Sequence, residues 1–258
     1  MMSPTRIAAV ASNTVREAIR NKVLYALLFF GVLLIGTGVL VSSLSYVEGE
    51  RILQSVGLSS LRLFGTAIAI FVGVGLIHKE IDRRTIHTIL SKPVSRTEFL
   101  LGKYAGLVAT IWLQVAIMSL AFVAVSLASR APLDGGHAIA IGLASVELAL
   151  VVAVATLFST FTTPMLASLF TAGLYLAGHV SRDLMELGAQ SENPSVVSAT
   201  RLVHQVLPDL ESFNLTVQAI HQLPIEPVDV WLPLAYGICY VAMLLAGASV
   251  IFERRDFR

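Results

Sequence analysis

The chain has 258 residues, 55% of them apolar and 14% charged, with a mean hydropathy of +0.78 and a formal net charge of +1. Soluble domains carry about 25% charged residues and rarely expose large apolar patches, so this composition excludes an ordinary soluble globule and points to a bilayer. The net charge gives no basic field for nucleic acid, and the single cysteine, Cys239, excludes an intrachain disulfide and any zinc or thiol-redox motif.

Ser3 and Pro4 suit the cap and first-turn positions of a helix. Ile7, Val10, Thr14, Val15, Ala18 and Ile19 then recur at helical spacing, while Arg6, Asn13, Arg16, Glu17 and Arg20 face away. This pattern predicts a basic amphipathic helix over 3–20, lying in the headgroup layer. A crossing helix needs about 20 apolar residues. Six stretches qualify: 23–44, 61–77 with Arg62 at its outer end, 104–129, 137–160, 164–180 and 230–252. The first is too long for the apolar core of a signal peptide. Pro164, after Thr162 and Thr163, divides the long uncharged run into the fourth and fifth spans. Cys239 falls inside the last span and reads as a small buried apolar residue. The expected fold is an all-α integral membrane protein in a single transmembrane domain.

The basic residues orient it. With 3–20 in the cytoplasm, six spans place 13 Lys and Arg residues inside and 5 outside. The acids divide as six inside, ten outside and Glu147 in the membrane. Both ends of the chain are then expected in the cytoplasm, the final basic stretch Glu253-Arg254-Arg255 included.

Two hydrophilic segments remain. In the connector 78–103, residues 78–90 read as a polar helix, ended by Ser91-Lys92-Pro93. Ser95 and Glu98 have the Ser-x-x-Glu spacing of a capping box that would start the third span. Gly102 and Gly106, four residues apart, permit close helix contact. A rigid helix clamped between two spans suits a lever carrying motion from a cytoplasmic motor, although the same residues would serve as a solvated basic loop. In the outer loop 181–229, Val196, Ala199, Val203 and Val206 predict a helix over 195–207, and a second is expected over 209–222.

The connector carries Glu80, then Thr85-Ile86, then Pro93-Val94-Ser95-Arg96, then Gly102-Lys103. In this order, and in the layout of spans around it, the chain resembles the ABC-2 family of ABC-transporter permeases. It is most similar to the six-span, single-chain branch that includes the permease of nitrous-oxide-reductase maturation. Arg84 departs from the glycine that many relatives place before the threonine. The resemblance implies a permease subunit, working with a separate ABC ATPase that holds the ATP and Mg, and with a second permease copy. It also implies a bacterial inner-membrane location and cargo that is exported. Glu80, Asp82, Arg83, Arg84 and Thr85 would contact the ATPase, and Lys92, Pro93, Ser95 and Arg96 would form the turn back to the membrane. The outer loop would cap the bundle, gate it, or meet a periplasmic partner.

No G-x-x-x-x-G-K-[ST] motif occurs, so the residues offer no phosphate cradle, and no cofactor or metal is expected on this chain. H-E-x-x-H and G-x-S-x-G are absent too, which argues against an intramembrane enzyme. His204, Asp209, Glu211 and His221 of the outer loop match no metal spacing. A membrane scaffold that holds an ATPase without moving cargo is the alternative to a permease. Glu147 is the one acid at span depth, where a carboxylate costs about 2.5–3.5 kcal/mol and so faces a cavity or a partner. Gln114 has the matching depth, and the pair would line a substrate route or a dimer seam. Small residues mark expected packing faces: Gly65, Ala69 and Gly73, and Gly173 and Ala177.

Overall fold

The structure, a computed structural model, describes residues 3–45, 48–82, 95–191 and 193–254. Among the described residues there is no strand. The elements are α1 (Pro4–Ile19), α2 (Lys22–Ser43), α3 (Gly49–Asp82), α4 (Arg96–Ala128), α5 (Gly135–Phe161), α6 (Pro164–Ala189), α7 (Pro194–Val206), a 3-10 turn η1 (Glu211–Phe213), α8 (Thr216–Ile220) and α9 (Pro227–Arg254). Among the described residues, five helices are long and apolar enough to cross a membrane: α2, α3 over Gly49–His78, α4, α5 and α9. The expected fifth span, α6, is 26 residues long but is not among them. Ser168, Thr171 and His179 dilute its uncharged part, and Arg182, Asp183 and Glu186 follow.

Local chemistry explains where the helices begin. The Asn21 side chain accepts from Val23 N at the start of α2. Ser95 and Glu98 form the reciprocal capping box expected from their spacing. Asp134 and His137 make a second one at α5, with the ring Nδ1 2.6 Å from Asp134 Oδ1. Prolines occupy the first turns of α1, α6 and α7. Ser3 does precede α1, but its hydroxyl engages Thr5 Oγ1 instead of a free helix amide.

The centre of the bundle is α5, buried at every residue from 147 to 156 and packed by α3, α4, α6 and α9. Lipid tails are as apolar as leucine, so close packing must supply the attraction between helices that water supplies elsewhere. The face Gly65, Ala69, Gly73 does this. A Cβ on Gly65 would lie 2.6 Å from Leu148 Cδ1, and one on Gly73 3.9 Å from Ala155 Cβ. Gly31 and Gly38 bring α2 close as well: an added Cβ would lie 2.6 Å from Met118 Cε at the first and 3.3 Å from Val56 Cγ1 at the second. Gly173 instead faces open space, and the close contact on α6 is made by Gly178. Cys239 is exposed on α9, contrary to its expected burial, because that helix turns a broad apolar face outward: Trp231, Leu232, Ile238 and Met243 are exposed beside it. Phe29, Phe30 and Leu40 of α2 are exposed in the same way, as suits contact with lipid.

The segment 181–229 folds differently from expectation in one respect. α7 takes the predicted place, but the single helix expected over 209–222 is replaced by η1 and α8. Leu210, Phe213 and Ala219 are fully buried and join the core that contains Leu148. Extra backbone turns here let the segment 208–220 enter the end of the bundle. A Cβ on Gly178 would meet Pro208 O at 2.8 Å, and one on Gly237 would meet Phe213 and Val146, each at 3.1 Å. Tyr236 OH accepts from Asp209 N at 3.1 Å, and Arg182 lies 3.7 Å from Asp209 Oδ2. Irregular backbone at such depth is tolerated where protein surrounds it. This end of the bundle is the cap end.

Candidate functional site

At the opposite end, three helices are fastened together around Glu98. The carboxylate of this buried residue accepts from Ser95 N (2.9 Å) and from Ser3 N (2.7 Å), and Arg6 Nη1 lies 3.8 Å away. One side chain therefore caps α4 and holds the start of α1. The two helices then cross at the Gly102 and Gly106 step. A Cβ on Gly102 would lie 2.6 Å from Val10 Cβ, and one on Gly106 would lie 2.6 Å from Ala11 O and from Thr14 Cβ. The expected close contact is present, and its partner is α1. Lys103, 1% exposed, reaches Glu17 Oε2 at 3.4 Å and ties the next turn. The end of α9 closes the cluster. Arg96 Nη1 donates to Phe252 O (3.3 Å) and Glu253 O (3.1 Å), Thr97 Oγ1 donates to Glu253 Oε1 (2.6 Å), and Phe99 stacks on Phe252. An arginine on the last carbonyls of a helix also meets its negative dipole end.

The residues expected to contact a partner ATPase flank this clasp. Glu80 and Asp82 lie on the last turn of α3. Ser95 and Arg96 are its capping residue and its link to α9. Arg83, Arg84, Thr85, Lys92 and Pro93 lie outside the described residues, as does most of the helix expected over 78–90.

A second cluster sits in the interior. Arg62 of α3 is hydrogen-bonded through Nη2 to Glu147 Oε2 of α5, and His179 Nε2 of α6 is 3.2 Å from Glu147 Oε1. Their side chains are 13%, 2% and 20% exposed. His179 Nδ1 is also 3.1 Å from Tyr175 O, and Tyr175 packs on the imidazole with ring centroids 4.5 Å apart. Two expectations are corrected here. Arg62 is not at the outer end of its span, because α3 begins at Gly49 and Arg62 lies thirteen residues inside it. Gln114 does not partner Glu147: its Nε2 is 3.7 Å from Met118 Sδ, and its Oε1 is buried without a hydrogen bond. A charge ends a hydropathy window whether or not it is paired, and the pairing of Arg62 lies 85 residues away.

The polar residues of the segment 181–229 have local partners. His204 Nδ1 is 3.4 Å from Ser181 Oγ, Glu211 Oε1 accepts from Asn214 Nδ2, and His221 Nδ1 is 3.1 Å from Val217 O. Among the described residues no three His, Cys, Asp or Glu side chains gather as a metal site.

Residues 8–257 match the family described as ABC-2 family transporter protein. The chain belongs to that family. The match covers the interior cluster, the clasp apart from Ser3 and Arg6, and every helix from α2 to α9; with its long apolar helices, this ABC-2 protein is a multi-pass membrane protein. A search of curated proteins found no match. ABC-2 membership gives the clasp a context, since a transmembrane subunit of an ABC system works with an ATPase.

Proposed function

We propose that this chain is the permease subunit of an ABC exporter, and that it moves cargo out across a bacterial inner membrane. ATP and Mg are held by a separate ATPase subunit, and two permease copies act together. Family membership supports the permease assignment, and the clasp is the observation that carries the coupling. The connector leaves α3 and returns through Ser95, beside the point where α1, α4 and α9 are tied by Glu98, Lys103 and Arg96. Force applied to the connector would reach three helices at once rather than bend a free loop.

Six crossings are part of this reading. The start of α1 and the end of α9 both meet α4 within one turn, at Glu98 and Arg96. A path from that end of the bundle back to it crosses an even number of times. α6 is the element available for the sixth crossing, and its packing on α3 and α5 supports this. The basic residues then set the clasp end in the cytoplasm and the cap end outside. α7 has no buried residue, which leaves it open to a periplasmic partner.

The test is reconstitution. Vesicles holding this chain and its cognate ATPase should show cargo flux that requires ATP and both subunits. Co-purification of the pair without flux would favour a scaffold, and flux by the chain alone would reject the assignment.

A further inference from the structure

We propose that Arg62, Glu147 and His179 form an ionic lock that keeps the outer half of the transport route closed. The inference rests on the permease reading. Three observations converge on it. First, the cluster joins α3, α5 and α6: α3 and α5 cannot separate without parting an ion pair, nor α5 and α6 without parting the Glu147 carboxylate from the His179 imidazole. Second, the cap is seated directly on it. Gly178, next to His179, contacts Pro208 and Leu210, while Val146, next to Glu147, contacts the same glycine as Phe213. The buried turn of the cap and the ion cluster therefore share one level of the bundle. Third, the surroundings hold more polar atoms than bonds. Arg62 Nε, inside the cluster, is buried without a hydrogen-bond partner, as is Gln218 Oε1 of α8, an element that packs on α3 and α5. A static core has little use for such groups, because each costs free energy that a bond would recover. A route that alternately closes and fills with water satisfies them in its open state.

The chemistry suits a reversible closure. Removing one partner of a buried ion pair leaves a charge stranded, so the closed state is strongly preferred while the route is dry. Once water enters, each ion is solvated and the pair is worth little. Lock and hydration thus oppose each other, which gives two states rather than a continuum.

The test reads water access at the lock and does not require flux. In a Cys239→Ser background, Thr66→Cys is exposed in membranes to an impermeant maleimide, added to each side in turn. The expected result is slow labelling in the otherwise unaltered protein. In Arg62→Gln or Glu147→Gln, labelling from the cap side should rise about tenfold or more. The exchange Arg62→Glu with Glu147→Arg should slow labelling again relative to either single variant, because it re-forms the pair between α3 and α5, although His179 loses its carboxylate. Fast labelling before any substitution at the lock would overturn the proposal. So would unchanged labelling in both single variants, or failure of the exchange in protein that still elutes as a single species. Faster labelling in the variants, with no ATP-driven flux from the unaltered protein and its ATPase, would retain the lock and reject the permease reading. Normal flux with unchanged labelling would do the reverse.

Discussion

Gly106 marks the tightest point of the clasp, since any Cβ there meets both Ala11 O and Thr14 Cβ at 2.6 Å. Gly106→Val must push α1 off α4. Overpacking of this kind costs about 1–3 kcal/mol, which would appear as a lower thermal midpoint of the purified protein in detergent. Gly173→Ala, facing open space, should leave the midpoint unchanged and serves as the control. Asp134 gives a pH-dependent counterpart. Burial pushes its carboxyl up, but the hydrogen bonds from His137 outweigh that and hold it below the usual range. A depressed carboxyl contributes stability above its unfolded pKa and loses it as pH falls through the folded one. Asp134→Asn should therefore flatten the acid limb of a stability profile, read as thermal midpoint against pH. At this scale the sequence was legible where partners are local. The Ser95–Glu98 box follows from a three-residue spacing, and helix chemistry fixes the rest. Arg62 and His179 were not legible, because nothing near them in the chain indicates Glu147.

At the scale of elements, the clasp ties α1 to the start of α4, where the connector ends. Arg96→Ala removes the side chain that holds the last carbonyls of α9 while leaving the capping box intact. The expected outcome is a folded complex in which ATP hydrolysis continues but flux per ATP falls several-fold, measured side by side in vesicles. Equal loss of both activities would instead indicate a docking defect. Helical periodicity gave α1 and α7 to within a residue or two, because a single apolar stripe suffices to place an amphipathic helix. It missed the break between η1 and α8. Phe213, Val217 and Ile220 fit one helix by spacing, yet Phe213 and Ile220 are buried while Val217 is 58% exposed, since the turn answers to the shape of the bundle end. The partner of α1 was also hidden: Gly102 and Gly106 announced a close contact, but a glycine pair does not name what approaches it.

For the whole molecule, composition alone decided the bilayer and the all-helical class, because long apolar runs admit few other solutions. The number of crossings was harder to read, and α6 shows why: half of it serves lipid and neighbours, while the other half supports the polar cap. The six-crossing account predicts that tags placed before α1 and after α9 are both reached only from the cytoplasmic side, and that a tag at Gln190 is reached only from outside. Protease protection in oriented vesicles checks this. Glu147→Gln is expected to impair transport strongly while the protein still assembles in the membrane, because amide and acid have the same shape but only the acid completes the charge pair. Unchanged flux would remove Glu147 from the mechanism.

The central claim is that energy enters this chain through the segment 80–96. A photocrosslinker at Glu80, in membranes containing the full complex, tests it most directly. The account predicts capture of a Walker A-bearing ATPase, with a yield that changes between nucleotide-free and ATP-bound conditions. Absence of any such crosslink, together with substrate flux by the purified chain alone, would contradict it.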